Sequence, residues 1–259
     1  MTERWGSGED YEPYVGRWSR LVAREFLGWL NIATKKRWLD VGCGTGALST
    51  TILSDFDPTS ILGIDPSPEY VAWVSSRVND DRARFETGDA TRLPASSADV
   101  VVSGLVLNFL DNPSLAVTAM RAAAPNGVVA AYVWDYSGRM ELMRHFWDAA
   151  IALDPKALSL DEGRRFPICQ PEPLFALWEG AGLTEISTRA IDVPTVFTDF
   201  EDFWNPFLGG QGPAPTYALS LGESDRSALL EKVRAGLPVS KDGSIHLIAR
   251  AWAVQGRSF

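Results

Sequence analysis

The chain has 259 residues, of which 46% are hydrophobic and 22% charged, and its formal net charge is −9. This composition argues against intrinsic disorder, and the acidic balance with scattered Lys and Arg disfavours nucleic acid and anionic membranes as partners. No apolar run reaches the roughly 20 residues that span a bilayer, and no signal-peptide pattern opens the sequence. The two cysteines suggest neither a disulfide nor a metal site. We therefore expect a cytoplasmic protein without a metal.

The first element in chain order is a helix, predicted from Tyr14 to Leu30 by apolar residues at helical spacing. It follows a polar, glycine-containing segment, residues 1–13, and it precedes a glycine-rich loop. The first residues of this helix are therefore candidates for contact with a ligand at that loop: Tyr14, Arg17 and Trp18. The alternative is that the helix only packs on a sheet.

A glycine-rich turn then follows a short apolar strand, and helical spacing resumes after it. Such a turn presents free backbone N–H groups at a helix start, and glycines let a ligand approach that backbone. The pattern fits two ligand classes. Gly42, Gly44 and Ala47 match the dinucleotide fingerprint. Gly42, Gly44 and Gly46, preceded by Asp40, match the G-x-G-x-G pattern of another family, so the loop alone leaves both open.

Strand-like and helix-like segments alternate from residue 37 to residue 134, which predicts parallel βαβ units and a doubly wound, mostly parallel α/β sheet. Ser67-Pro68 and Asn112-Pro113 are helix-start signals, each with a capping side chain followed by proline. The predicted strands are Arg37–Val41, Ser60–Ile64, Ala83–Glu86, Asp99–Ser103 and Gly127–Trp134, and the predicted helices between them are Ala47–Ser54, Pro68–Val78 and Pro113–Ala124.

Ligands of such sheets bind at the carboxyl ends of the strands, so the strand-end side chains are the candidate site. Asp65 closes the second strand, where a carboxylate can accept two hydrogen bonds from a ribose diol. Because a strand-end carboxylate carries little core packing, we expect Asp65→Ala to weaken binding and leave the fold intact. Asp89 follows the third strand and can accept from an adenine amine beside Ala90; the alternative is a turn residue.

The motifs taken together resemble those of class I S-adenosylmethionine-dependent methyltransferases, most closely the type 11 small-molecule branch that includes quinone-biosynthesis enzymes. The resemblance covers about residues 36–134 and implies a seven-stranded Rossmann-like sheet. It also implies S-adenosylmethionine as cofactor and S-adenosylhomocysteine as product. The motifs are Asp40-Val41-Gly42-Cys43-Gly44-Thr45-Gly46, Gly63-Ile64-Asp65, Gly88-Asp89-Ala90 with Leu93-Pro94, and Pro125-Asn126-Gly127.

By this resemblance the glycine loop passes beneath the methionine part of the cofactor, Asp65 holds the ribose and Asp89 with Ala90 addresses the adenine. The Leu105 region would approach the methionine amino group, and Arg17 its carboxylate. Core packing is the alternative for Leu105. The predicted cofactor residues are Tyr14, Arg17, Trp18, Asp40, Gly42, Cys43, Gly44, Gly46, Asp65, Pro66, Asp89, Ala90, Leu105 and Val106.

Beyond residue 136 the sequence is less generic, and we expect insertions that form a helical cap. The later predicted elements are helices at Arg139–Leu153, Glu172–Gly180 and Glu223–Ala235, strands at Leu183–Ile191 and Ser244–Val254, and a Gly/Pro-rich loop from Leu208 to Tyr217. The predicted divisions are 1–35 (helical segment over the cofactor site), 36–136 (cofactor-binding core), 137–170 (cap insertion), 171–191 (return to the core), 192–243 (second cap insertion) and 244–259 (last core strand and tail).

Methyl transfer from a sulfonium is an in-line displacement that depends mainly on placement and desolvation, and a base is needed only if the acceptor must lose a proton. His145, beside Phe146 and Trp147, is the candidate base; packing is its alternative. Aromatic side chains could line an apolar acceptor pocket or only join the cap to the sheet. The predicted acceptor residues are Asn108, Trp134, Tyr136, Trp147, Trp204 and Phe207.

The sequence thus predicts a methyltransferase that acts on a small, apolar or aromatic metabolite. Its partner is then the small-molecule acceptor, with no nucleic acid and no membrane insertion, in a monomer or homodimer. Two alternatives stay open at this point. One is an NAD(P)-dependent oxidoreductase, and the other is a protein that binds S-adenosylmethionine without catalysis.

Overall fold

The computed structural model describes residues 16–209 and 212–259, so the predictions on Tyr14 and on residues 1–13 lie outside the described residues. The strands are β1 (Arg37–Val41), β2 (Ser60–Asp65), β3 (Ala83–Thr87), β4 (Val100–Gly104), β5 (Val128–Trp134), β6 (Thr184–Phe197) and β7 (Ile245–Arg257). The helices are α1 (Arg17–Leu30), α2 (Ala47–Asp55), α3 (Pro68–Arg77), α4 (Pro113–Ala123), α5 (Glu141–Leu153), α6 (Glu162–Arg165), α7 (Pro171–Gly180), α8 (Phe200–Trp204), α9 (Pro213–Ser220) and α10 (Glu223–Gly236). Short 3-10 turns are Leu107–Phe109, Pro155–Ser159 and Asn205–Leu208.

The seven strands form one mixed, mostly parallel sheet in the order β3-β2-β1-β4-β5-β7-β6, flanked by helices. The pairs β1·β2, β1·β4, β2·β3 and β4·β5 are parallel. The chain order reverses between β1 and β4, and ligands of open α/β sheets bind beside such a reversal. The predicted fold class is confirmed.

Local signals account for the helix starts. The Ser67 hydroxyl oxygen accepts the Tyr70 N–H at 3.2 Å, and the Asn112 side chain accepts the Leu115 N–H at 3.1 Å. In both cases proline occupies the first helical position, where no N–H is needed. The two predicted helix-start signals are confirmed.

Two predictions beyond residue 180 are wrong. β6 continues to Phe197, six residues past the predicted Ile191, through Pro194. A proline is tolerated there because β6 is an edge strand, where one missing N–H costs no ladder bond. The predicted Gly/Pro loop contains α9, because Pro213 and Pro215 fall in its first turn, where their missing N–H groups break no helical hydrogen bond.

The chain divides into two compact units. The glycine-loop unit comprises Ser19–Val133, Ile168–Ile191 and Ala251–Phe259; the aromatic unit comprises the described residues up to Trp18, Trp134–Pro167 and Asp192–Arg250. Each has its own core, in the first around α1 and β1 to β5 and in the second around α5 and α8. In the described ranges no helix has the length and apolar character to cross a bilayer. The six predicted divisions stay a prediction.

Candidate cofactor site

The turn after β1 depends on three glycines in the left-handed region, Gly42, Gly44 and Gly46, with φ of +74°, +50° and +89°. The space available for a side chain at Gly42 and Gly46 is restricted as well. A Cβ on Gly42 would lie 2.3 Å from Cγ2 of Val106, and one on Gly46 would lie 2.6 Å from Cγ2 of Val74. Glycine is therefore required in this loop both for its backbone angles and for close packing.

Asp65, at the end of β2, is tied to this loop. Its Oδ2 accepts the Gly44 N–H at 2.9 Å, and its Oδ1 accepts the Ser67 N–H at 2.9 Å. The side chain is buried, which raises the pKa of the carboxyl, while the two backbone hydrogen bonds act in the opposite direction. The carboxylate thus connects the glycine loop to the start of α3. Asp65→Ala would remove the acceptor of both N–H groups, and the expectation that this variant keeps its fold stays a prediction.

Asp40 lies two residues before Gly42 and is 1% exposed. Its Oδ2 accepts the Ser49 hydroxyl at 2.7 Å, while Oδ1 is buried without a hydrogen-bond donor in the structure. Burial raises the pKa of Asp40 to about 7, and the charge of Asp65 acts in the same direction. Cys43, also buried, donates its N–H to the Ile64 carbonyl, and burial raises the pKa of its thiol strongly.

Asp89 follows β3 at an exposed position. Its Oδ1 accepts both the N–H and the hydroxyl of Thr91 at 2.8 Å, and these bonds hold the pKa of the carboxyl below its ordinary value. Asp89 therefore has the geometry of a turn residue, the alternative that the sequence left open. Its Oδ2 accepts no hydrogen bond in the described ranges. Ala90 beside it is half-buried. The predicted adenine contact stays a prediction.

The segment after β4 has a backbone conformation that sequence analysis did not predict. Leu105 has φ +63°, which is rare for a side chain of its kind, and its N–H donates to the Tyr132 carbonyl at 2.8 Å. A Cβ on Gly104 would lie 2.6 Å from the Tyr132 hydroxyl. Asn108 is 8% exposed and its Nδ2 has no acceptor in the structure. Val106 packs on Gly42, so the segment after β4 lies against the glycine turn within the glycine-loop unit.

Arg17 and Trp18 belong to the aromatic unit, and their contacts there are with each other, with β6 and with α8. The Arg17 guanidinium pairs with Asp202 at 2.8 Å and lies 4.4 Å and 4.8 Å from the ring centroids of Trp18 and Phe197. Among the residues that the structure describes, the Nε and Nη2 of Arg17 and the Nε1 of Trp18 are buried without an acceptor. Their predicted role toward the cofactor stays a prediction.

The aromatic residues predicted to contact the acceptor are buried. Phe146 stacks on Phe207 with ring centroids 4.5 Å apart, and Trp147 lies 5.6 Å from Tyr217. Trp204 stacks on Phe200 at 6.3 Å. These contacts form a core of the aromatic unit, which is the alternative that the sequence left open. Trp134 is also buried, and Tyr136 packs on Phe166; the acceptor role of all these residues stays a prediction.

His145 is half-buried in α5, between core residues on one side and solvent on the other. Burial lowers the pKa of the imidazole, although Glu141 and Asp148 act against this shift. A neutral imidazole at pH 7 is the form that a base requires. No hydrogen bond to another described residue orients it, and its role as a base stays a prediction.

Glu162 is a buried carboxyl that sequence analysis missed, because an isolated Glu in a polar stretch carries no local sign of burial. It is 2% exposed and accepts the indole N–H of Trp147. Neighbouring Asp161 is also buried, but it pairs with Arg144 at 2.9 Å. Burial raises the pKa of Glu162 to about 7.

We expect the stability of the aromatic unit to fall as pH rises from about 5 to about 8. The unfolded Glu162 carboxyl ionises above its ordinary pKa, whereas the folded one keeps its proton until pH 7, so the folded state loses on the order of 2–3 kcal/mol. Glu162→Gln should keep the bond from Trp147 and remove this part of the fall. Urea unfolding followed by tryptophan fluorescence at pH 5.5 and 8 measures it. Glu172→Gln, at an exposed position, is the control, and equal pH dependence in both variants would contradict the assignment.

Comparison with known proteins gives the glycine-loop unit a family. Residues 39–131 match the type 11 family described as a methyltransferase domain. Trans-aconitate 2-methyltransferase of Streptomyces avermitilis is 28% identical over 233 residues, 84% of each chain. An uncharacterized methyltransferase, C70.08c, of Schizosaccharomyces pombe is 22% identical over 76% of this chain and 77% of its own.

Other relatives, 30% to 32% identical, match over 36% to 44% of their own length. The crystal structure of the YcgJ protein from Bacillus subtilis superposes with a TM-score of 0.60 at 15% identity, covering 92% of this chain and 98% of that one. That likeness shows the fold, while the family match decides between the two interpretations of the glycine loop. Residues 39–131 match a type 11 methyltransferase domain, and the homologues of this chain are class I S-adenosylmethionine-dependent methyltransferases.

Proposed function

We propose that the protein transfers the methyl group of S-adenosylmethionine to a small apolar or aromatic acceptor at the carboxyl end of its sheet. The observation that carries the proposal is the edge built by Gly42, Asp65 and Val106. There a left-handed glycine turn, a strand-end carboxylate and an apolar loop are packed together in one unit. When bound, the cofactor supplies an electrophilic methyl group on a sulfonium.

The residues present fit that cofactor. The glycine turn leaves backbone close to the surface without Cβ atoms, and two buried polar atoms, Asp40 Oδ1 and Asn108 Nδ2, have no hydrogen-bond partner within residues 16–209 and 212–259. Buried polar groups normally have partners, so orphaned atoms beside a ligand loop favour a polar ligand there. In the proposal Gly42, Cys43, Gly44 and Gly46 lie under the methionine part and Asp65 accepts from the ribose. Asp89, Ala90, Leu105 and Val106 complete the site, with Pro66 beside Asp65.

The protein contributes placement and exclusion of water. Leu105 and Val106, half-buried next to the glycine loop, present apolar side chains that disfavour water near the reacting atoms. Asn108, one turn further on, has a buried amide that can donate to an oxygen of a bound molecule. Asn108 is the proposed acceptor contact within the glycine-loop unit.

A carboxylic acid is a second candidate acceptor. The relative from Streptomyces, which matches over 84% of each chain, is a trans-aconitate 2-methyltransferase, and that coverage exceeds the glycine-loop unit alone. A carboxylate needs no base at neutral pH because it is already ionised. The donor amide of Asn108 suits a carboxylate oxygen as well as a carbonyl or phenol oxygen, so the structure fits both classes.

The testing experiment has two steps. Thermal-shift titration with S-adenosylmethionine and S-adenosylhomocysteine, with NADH as control, should raise the melting temperature for the two adenosyl ligands only; a ligand at 100 times its dissociation constant adds about 2.7 kcal/mol. Methyl transfer is then measured with a hydroquinone, a phenol, trans-aconitate and a monocarboxylic acid. Turnover of the first pair supports the apolar acceptor, and turnover of the second pair supports the carboxylic acid. A shift with NADH alone would contradict the cofactor assignment. Cofactor binding without turnover of any of the four would contradict both proposed acceptor classes.

A further inference from the structure

Asp40 is a buried carboxyl in β1, a central strand of the sheet, two residues before the glycine turn. The Ser49 hydroxyl donates to Oδ2 at 2.7 Å and the Ser49 backbone N–H also favours the ionised form, while Oδ1 is buried without a donor among the described residues. In the sheet its neighbours are Gly63 on β2 and Val102 on β4, which supply no polar side chain. A carboxylate accepts several hydrogen bonds when ionised, so neutral donors from Ser49 alone leave the charge poorly stabilised.

The titratable groups that face Asp40 do not neutralise the negative charge of its ionised carboxyl. Asp65 on β2 adds a second negative charge, and the Cys43 thiol of the glycine loop is kept protonated by burial and by these carboxyls. Ser49 on α2 favours ionisation through its hydrogen bond, but burial outweighs it and brings the pKa to about 7. No cation is among the groups that shift Asp40 in the described ranges. A positive charge brought to this edge would therefore have a large effect.

We propose that Asp40 distinguishes the methyl donor from its demethylated product by charge. The sulfonium adds a positive charge that the sulfide form lacks, so Asp40 releases more of its proton to solvent when the sulfonium form binds than when the sulfide form binds. The inference rests on the proposed function, which puts the cofactor on the loop that begins two residues after Asp40. An opposite charge a few ångströms away in a water-poor site favours the ionised carboxylate, and the sulfide lacks that charge.

Isothermal titration calorimetry at pH 6, 7 and 8, in two buffers of different ionisation enthalpy, measures both affinity and proton release. S-adenosylmethionine should bind about tenfold more tightly at pH 8 than at pH 6, with about half a proton released at pH 7, because Asp40 titrates in that range. S-adenosylhomocysteine should change less. Both ligands carry an amino group that itself titrates, so the quantity that counts is wild type minus Asp40→Asn.

Three variants separate the outcomes. Asp40→Asn should make the affinity ratio of the two ligands independent of pH, and Ser49→Ala should move the midpoint to higher pH because it removes the hydroxyl donor and leaves only the backbone N–H. Glu162→Gln, a buried acid of the aromatic unit, should behave as wild type. Equal proton release by wild type and Asp40→Asn, or by both ligands, would overturn the inference. If wild type binds neither ligand, the proposed function itself fails. If Asp40→Asn does not fold, an unmoved midpoint in Ser49→Ala overturns the inference.

Discussion

Gly42→Ala should remove measurable cofactor binding and destabilise the glycine-loop unit by about 2–4 kcal/mol. A non-glycine residue at φ +74° costs roughly 1–2 kcal/mol, and the new Cβ would lie 2.3 Å from Cγ2 of Val106. Relief of this overlap requires the glycine turn or the Leu105 segment to shift, and both belong to the proposed site. Calorimetry with S-adenosylhomocysteine and urea unfolding measure the two effects.

A double-mutant cycle identifies the cause of the Gly42 effect. Val106→Ala removes the two Cγ atoms nearest the new methyl group, so the pair Gly42→Ala, Val106→Ala should recover part of the lost stability. The backbone cost at position 42 would remain. Gly28→Ala, in an exposed turn of α1 with nothing within 4 Å of the added Cβ, is the control and should be neutral or slightly stabilising. Wild-type affinity in Gly42→Ala would contradict the placement of the cofactor on this loop.

The second large effect is expected for Asp65→Ala, with affinity for both adenosyl ligands reduced about a hundredfold or more. Two charge-assisted ribose contacts are lost, each worth roughly 1.5–3 kcal/mol. The Gly44 and Ser67 N–H groups also lose their acceptor, so we expect stability to fall by about 2 kcal/mol as well. Calorimetry and thermal unfolding measure the two losses separately.

Asp65→Asn helps to divide these roles. The amide retains one acceptor oxygen but turns its NH2 toward one of the two backbone N–H groups, so both affinity and stability should be intermediate. Asp81→Ala, at an exposed position before β3, is the matched carboxylate control. Full cofactor affinity in Asp65→Ala, with only stability reduced, would limit Asp65 to holding the glycine loop.

The part of the site that sequence alone predicts is the part that local signals encode. Ser67-Pro68 fixes the start of α3, and the glycine spacing fixes the turn after β1. What sequence misses depends on partners far along the chain. Val106 packs on Gly42 across 64 positions, and the Tyr132 carbonyl anchors the left-handed Leu105. Neither contact has a local pattern, because each depends on the order of strands in the sheet.

The same limit explains the elements placed wrongly. Pro194 predicts the end of a strand unless β6 is known to be an edge strand. Pro213 predicts a loop unless it is known to occupy a first helical turn. From sequence alone, an aromatic residue such as Trp147 is compatible with lining a pocket and equally with packing in a core. The ring contacts within the aromatic unit are what place these residues in its core.

The division of each unit over three stretches of chain has a consequence for how the protein is made. Ala251–Phe259 belongs to the unit that begins at Ser19, and the Ser258 N–H donates to the Gly127 carbonyl at 3.0 Å. A ribosome synthesises the whole aromatic unit before it delivers these nine residues. The cofactor loop is therefore synthesised well before the last segment of its own unit, and that unit is completed only by contacts between residues far apart in the chain.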